Sequence, residues 1–327
     1  MRGLRLLLIS PALPPDPAGN ARQAARLAAG LRKRGWTVRL ARPREALAVA
    51  ARFRPDRIWG LHLTKSGPAA RACAAAAGVP YGLTVTGTDA NLVLARGSLP
   101  ATERRALTAA AVLAAPDPGF SKLLRRTARR LTLSLPPIVV LEPAIELPAG
   151  VLRRPPRGRP YILWSGGLRA VKDAAWALAA FEPFHRRHPD FRLVVTGPAL
   201  ESGSVAAVSA AAADSERGVE WRGPLGWRAN LRLMAGAAVV FNSSRAEALP
   251  HALGEALALG VPVVARDIPG NRFALAPRGP GLRARTPAGA ARALERARAL
   301  RPRPRRVAPE REAAAFDKLL RKITGSA

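Results

Sequence analysis

The sequence predicts an α/β protein built from two Rossmann-like domains, each a parallel sheet covered by helices. Two observations predict this and a third permits it. Short, continuous apolar runs alternate with helix-length segments along the chain, as expected of parallel strands buried on both faces. The alternation breaks once, in the Pro-, Arg- and Gly-rich residues 148–160 (PAGVLRRPPRGRP), and then restarts, which reads as an inter-domain linker. At 327 residues with 48% apolar content, the chain can fill two cores of ordinary size. The expected division is 1–150 and 151–307, with a tail at 308–327.

In the first domain, residues 4–10 (LRLLLIS) read as a fully buried strand. The loop PALPPDPAGN follows, then a helix over 21–34 closed by Gly35. Strands are predicted at 38–41, 57–63, 81–85 and 111–115, with an extended piece at 138–141. Helices are predicted at 45–53, 67–77, 101–108 and 119–131. Thr86-Gly87-Thr88-Asp89 forms a polar turn after the fourth strand. The second domain restarts with a strand at 161–165, followed by helices at 174–188, 205–213, 227–234 and 286–299. Strands at 191–196 and 219–222 separate the first of these. The tail is amphipathic, with Phe316, Leu319, Leu320 and Ile323 on one side.

The most informative stretch is 241–271, FNSSRAEALPHALGEALALGVPVVARDIPGN. A buried strand at 237–241 breaks into Asn242-Ser243-Ser244. A helix then begins, with Pro250 suited to its first position because the missing N–H would be unpaired there. Gly260 suits the C-cap. Glu247 precedes the helix and Glu255 lies on it, with seven residues between them. A strand, a helix N-terminus and two carboxylates at this spacing suit a phosphorylated, hydroxyl-rich ligand. The second domain opens with WSGGLRAVKD, a glycine turn with Arg169 and Lys172 just before a helix that Asp173 can cap. Two cations on such a turn form a candidate diphosphate clamp; the alternative is a solvated basic turn.

The net charge is +31, and only six of the 53 basic residues are Lys. Arg is dispersed alongside abundant Ala, Pro and Gly, which reads as compositional bias. The alternative is a surface that attracts anionic membranes, nucleic acid or anionic substrates. Aromatics are only 5%, which counts against base stacking and hence against a nucleic-acid binder. The single Cys73 excludes an intrachain disulfide and reads as a small core residue. Four histidines without clustering argue against zinc; His185 and His188, flanking Arg186 and Arg187, read as solvated. The N-terminal apolar run is too short for a signal peptide, and no run of about 18 apolar residues offers a membrane span. A cytoplasmic protein is the expectation.

The paired glutamates with GEALALGVPVVARDIPGN, together with GNARQAARLAAGL, the TGTD turn, GLRAVKD and NSSRAE, resemble the retaining glycosyltransferases of the GT-B fold. They are similar to the large group sometimes called family 4, and within it to glycosyltransferase 1 domain-containing proteins and bacterial selenosugar synthases. The matching segments run over about 10–271.

The resemblance implies a C-terminal helix that crosses back to the first domain and a nucleotide diphosphate sugar as co-substrate, with no other cofactor. The absence of an Asp-x-Asp motif fits an enzyme without a metal. Arg169, Lys172, the Gly167 turn and the helix N-terminus around Ser244, Ala248 and Leu249 would hold the diphosphate. Charge builds on that group as the bond breaks. Glu255 would hold the ribose, and Glu247 the donor sugar and the positive charge at its anomeric carbon. Gly19 and Asn20 would approach the diphosphate or the acceptor. Asp89 and His62 are the acceptor-side candidates for proton handling, against an N-cap aspartate and a half-buried histidine. The acceptor itself is open, with a phosphorylated molecule or one at an anionic membrane surface favoured by the charge.

The family usually has Gly after the first glutamate, where this chain has Ala248, and Pro250 removes a further N–H. Those departures keep open a catalytically weak, nucleotide-sugar-binding homologue that serves as a partner subunit.

Overall fold

A computed structural model describes residues 3–16, 19–86, 89, 99–153, 158–247, 250–275, 281–304 and 308–323. The chain divides into two compact units, one comprising 1–144 and 307–327, the other 145–306.

The first unit runs β1 (Arg5–Ile9), α1 (Gly19–Arg32), β2 (Thr37–Ala41), α2 (Ala46–Phe53), β3 (Arg57–Leu61), α3 (Leu63–Ala77), β4 (Tyr81–Thr84), α4 (Ala101–Thr108), β5 (Val112–Ala115), α5 (Pro118–Arg130) and β6 (Ile138–Val140). Its six strands are parallel in the order β2-β1-β3-β4-β5-β6. Leu6, Leu7, Leu8 and Ile9 of β1 are fully buried, as a central parallel strand requires.

The second unit runs β7 (Tyr161–Ser165), a 3-10 turn (Ala170–Lys172), α6 (Ala174–Arg187), β8 (Arg192–Thr196), α7 (Ser202–Ala213), β9 (Val219–Trp221), α8 (Trp227–Gly236), β10 (Val239–Asn242), α9 (His251–Ala258), β11 (Val263–Arg266), α10 (Pro269–Leu275), β12 (Leu282–Ala284) and α11 (Pro287–Ala297). Its strand order, β12-β11-β10-β7-β8-β9, is that of a doubly wound nucleotide-binding sheet. The order reverses between β7 and β10, and ligands of such sheets bind outside the strand carboxyl ends at that point. In the first sheet the corresponding reversal lies between β1 and β3.

The tail forms α12 (Pro309–Lys322), which packs on α1 in the first unit. Its Phe316 meets Trp59 edge-on at 4.6 Å, Arg26 pairs with the nearly buried Glu312 at 2.7 Å, and Trp36 Nε1 donates to Asp317 at 2.8 Å. A Cβ at Gly30 would lie 2.6 Å from that of Ala313, so the two helices touch at a position that admits only glycine.

Several local expectations change. Within the expected linker, Val151 is buried in the second core, and Arg153 donates to the carbonyls of Ala235 and Ala237 at 2.7 Å. Helix α1 begins at Gly19, not at 21. Helix α3 begins at Leu63, four residues before the predicted start, because a carboxylate from elsewhere in the chain supplies its cap. Pro250 is the N-cap of α9 rather than its first turn.

Candidate active site

The second unit gathers its polar residues at the β7/β10 reversal. Strand β10 ends in Asn242, and the chain then turns through Ser243–Glu247. Glu247 Oε1 accepts hydrogen bonds from Lys172 Nζ at 2.5 Å, Ser244 Oγ at 2.6 Å and Asn242 Nδ2 at 3.2 Å. Burial raises the Glu247 carboxyl, but the Lys172 charge and the bonds from Lys172, Ser244 and Asn242 outweigh it and hold it below its ordinary value. Glu247 is therefore an anion at neutral pH. Asn242 is oriented in turn by Asn271, whose Nδ2 donates to Asn242 Oδ1 at 3.1 Å and to Arg266 O at 2.9 Å. Gly270 is in close contact as well; a Cβ there would sit 2.1 Å from the Glu247 carbonyl oxygen.

Lys172 is carried by a turn stapled to this loop. Asp173 has a left-handed backbone (φ 50°) and caps α6 through Trp176 N at 3.3 Å. Its other oxygen accepts from Arg245 Nε at 2.8 Å and Arg266 Nη1 at 2.7 Å. Burial opposes the Asp173 charge, yet these two guanidinium bonds hold its carboxyl below the ordinary value. Ser243 Oγ donates to Lys172 O at 2.7 Å and accepts from Trp164 Nε1 at 2.8 Å, and Arg245 N donates to Val171 O at 2.9 Å.

The structure adds contacts that the sequence did not show. Lys172 pairs with Glu247, and Arg169 is exposed at the start of the 3-10 turn. Asn242, Arg245, Arg266 and Asn271 were not singled out. Glu255 on α9 is buried, 8% exposed, and its Oε1 accepts from Trp227 Nε1 at 2.9 Å; Trp227 gave no signal in the sequence. Gly167 lies in the turn after β7, where a Cβ would press on Leu200 at 2.6 Å. Ala248 and Leu249 lie outside the described residues.

In the first unit, Gly19 and Asn20 open α1 beyond β1, and Ser10 Oγ donates to Asn20 O at 3.4 Å. His62 follows β3 directly, so both loops flank the β1/β3 reversal. Asp89 joins His62: His62 Nδ1 lies 2.6 Å from Asp89 Oδ1, with side chains 3% and 0% exposed. Asp89 also accepts from Leu63 N, Thr64 N, Thr64 Oγ1, Thr86 N and Thr86 Oγ1 at 2.8–3.0 Å. Burial opposes its charge, but these bonds hold the carboxyl below its ordinary value. Asp89 thus caps α3 and fixes the Nδ1–H tautomer of His62. His62 itself is more than half-buried and adopts φ 131°, ψ 121°, a region that costs a non-glycine residue about 1–3 kcal/mol. Gly87 and Thr88 of the TGTD turn lie outside the described residues.

Two further expectations are corrected. His188 Nε2 contacts both Glu295 oxygens at 2.6 and 2.8 Å. His185 stacks on Phe181 with ring centroids 5.2 Å apart. Neither is merely solvated. Among the described residues no group of three His, Cys, Asp or Glu is placed to hold a metal ion, and no helix is long and apolar enough to cross a membrane.

Two parallel six-stranded sheets with polar clusters at their strand reversals define a GT-B fold. Residues 159–299 match the family described as Glycosyl transferases group 1. The chain is 31% identical over 121 residues to Glycosyltransferase 1 domain-containing protein 1 of Xenopus tropicalis, a match covering 37% of this chain and 35% of that protein. The match therefore spans about a third of the curated relative. Among solved structures, sucrose-phosphate synthase from Thermosynechococcus elongatus is 15% identical, with TM-score 0.70 and coverage of 97% of this chain and 95% of that one. The UDP-forming α,α-trehalose-phosphate synthase of Burkholderia xenovorans is 15% identical at TM-score 0.70, over 99% and 100% of the two chains. Anabaena HepE in complex with UDP and glucose is 14% identical at TM-score 0.65, over 97% and 95%.

Proposed function

We propose that this protein is a retaining glycosyltransferase, of the family 4 type, that moves a sugar from a nucleotide diphosphate sugar to an acceptor without a metal ion. The observation that carries the reading is Glu247, an ionised carboxylate gripped through Oε1 by Lys172, Ser244 and Asn242 at the reversal of a nucleotide-binding sheet. In this reading the sugar hydroxyls meet Glu247, whose charge steadies the positive charge at the anomeric carbon. Glu255 receives the ribose. The bond from the anomeric carbon to the diphosphate breaks, and Lys172 and Arg169 balance the charge that builds on the leaving oxygen. The acceptor hydroxyl bonds to the same carbon and gives up its proton. His62, with its tautomer fixed by Asp89, is the assigned acceptor-side proton handler.

Anabaena HepE was crystallised with UDP and glucose, so UDP and UDP-sugars head the panel to test. A thermal-shift series of nucleoside diphosphates and their sugars should give a selective rise for one nucleotide. Release of that nucleoside diphosphate should then be lost in Glu247→Ala. No rise with any nucleotide would refute the reading. A second reading, a binding homologue acting as a partner subunit, draws on Pro250, which brings no N–H to the start of α9. Tight donor binding without turnover over a broad acceptor panel would favour it.

A further inference from the structure

Helix α5 carries more cations than any other described helix. It is capped by Asp117, which accepts from Phe120 N at 2.9 Å, and it buries Phe120, Ser121, Leu124, Thr127 and Ala128 in the first unit. Its outer face shows Lys122, Arg125, Arg126, Arg129 and Arg130, all exposed, and the thirteen-residue helix contains no carboxylate. Helices α1, α3 and α8 also lack carboxylates but carry only three, two and two cations, whereas α12 carries Glu310, Glu312 and Asp317 among its Arg and Lys residues. Lys122, Arg125, Arg126 and Arg129 make no ion pair with any described residue. The five cations of α5 share one face and form the densest such row among the described helices.

We infer that the α5 face docks this protein on an anionic lipid bilayer surface. From Lys122 to Arg130 the row spans about 12 Å of helix at 1.5 Å per residue, a straight ridge that meets a flat sheet of charge along its length. The apolar side of α5 is committed to the core, so attachment is electrostatic, without insertion, and sensitive to salt. No aromatic ring lies on the exposed face, which removes the stacking that a single-stranded nucleic acid would use. Helix α5 starts at the carboxyl end of β5, the sheet edge that also carries His62 and Asp89. The inference does not rest on glycosyl transfer.

The test is sedimentation of the full chain with vesicles of phosphatidylcholine alone and of equal parts phosphatidylcholine and phosphatidylglycerol. The protein should bind only the anionic vesicles, more weakly as salt rises. Each cation near such a surface strengthens partition about fivefold. Combining Arg125→Ser, Arg126→Ser and Arg129→Ser should therefore weaken binding about a hundredfold, while the same positions changed to Lys should retain it. Removing equal charge from the other unit through Arg292→Ser, Arg296→Ser and Arg298→Ser should have a much smaller effect. The inference is overturned if both triple-Ser variants weaken binding equally, if neither does, or if vesicles are ignored. It is also overturned if a DNA duplex, but not the vesicle, binds in an α5-dependent way.

Discussion

Glu247 and Asp89 are both nearly buried carboxylates at the carboxyl edge of a parallel sheet, both held below their ordinary protonation range, yet they are built for different work. Asp89 spreads six contacts over its two oxygens, one of them to His62, and its side chain is 0% exposed. Most of those donors are backbone or threonine groups whose own hydrogen bonding depends on it. Glu247 Oε1 takes bonds from Lys172, Ser244 and Asn242, and its side chain keeps 10% exposure. A carboxylate that satisfies the backbone is a structural anchor. One held by a lysine and a serine can exchange those partners for a ligand. In the proposed reaction, Asp89 positions and Glu247 meets the substrate.

That distinction can be broken by substitution. Glu247→Ala should lower donor turnover by about a thousandfold, on the scale of losing one electrostatic stabiliser of the transition state, with affinity for the nucleoside diphosphate that raises the melting point changed little. An equal loss of that binding would move Glu247 from the sugar to the diphosphate. Asp89→Ala should act on stability instead, by about 3 kcal/mol, because it strands the buried N–H groups of Leu63, Thr64 and Thr86. Urea unfolding measures it, and a stable variant with slow turnover would reverse the assignment.

Asp173→Asn should weaken donor KM about tenfold with a smaller change in kcat, since it loosens the charged staple that holds the Lys172 turn. It should also flatten the acid limb of unfolding. The Asp173 carboxyl is lowered from 3.8 in the folded state, so its contribution is fully present above that unfolded value and is lost as pH falls through the folded one. The window lies below about pH 4. An unchanged acid limb would show that the Arg245 and Arg266 bonds contribute no stability. Smallest, Trp227→Phe should cost about fivefold in affinity for the nucleoside diphosphate selected by thermal shift, the loss of a bond worth ~1 kcal/mol to Glu255.

The fold was legible because its signals are local. The run LRLLLIS reads as a buried strand at once, and EALALGVPVV reads as helix, cap and strand. Glu247 and Lys172 were legible as residues, but not their contact, which joins positions 75 residues apart. The grip of Arg245 and Arg266 on Asp173 spans 72 and 93 residues, and in a chain with 53 basic residues no arginine stands out by type. His188 read as solvated because its partner, Glu295, is 107 positions away. Helix α3 was placed late because its first N–H groups are capped by Asp89, 25 or more residues downstream.

The seat of α12 against α1 has a consequence for biosynthesis. The second unit is threaded between two pieces of the first, so on the ribosome the first sheet emerges early but waits for its last helix until the whole second unit has been made. During that interval the side chains that Phe316 and Leu320 cover, Trp59 among them, lack their cover. A nascent chain halted before Pro309 should therefore expose a first unit that chaperones recognise, attached to a second unit that has already folded.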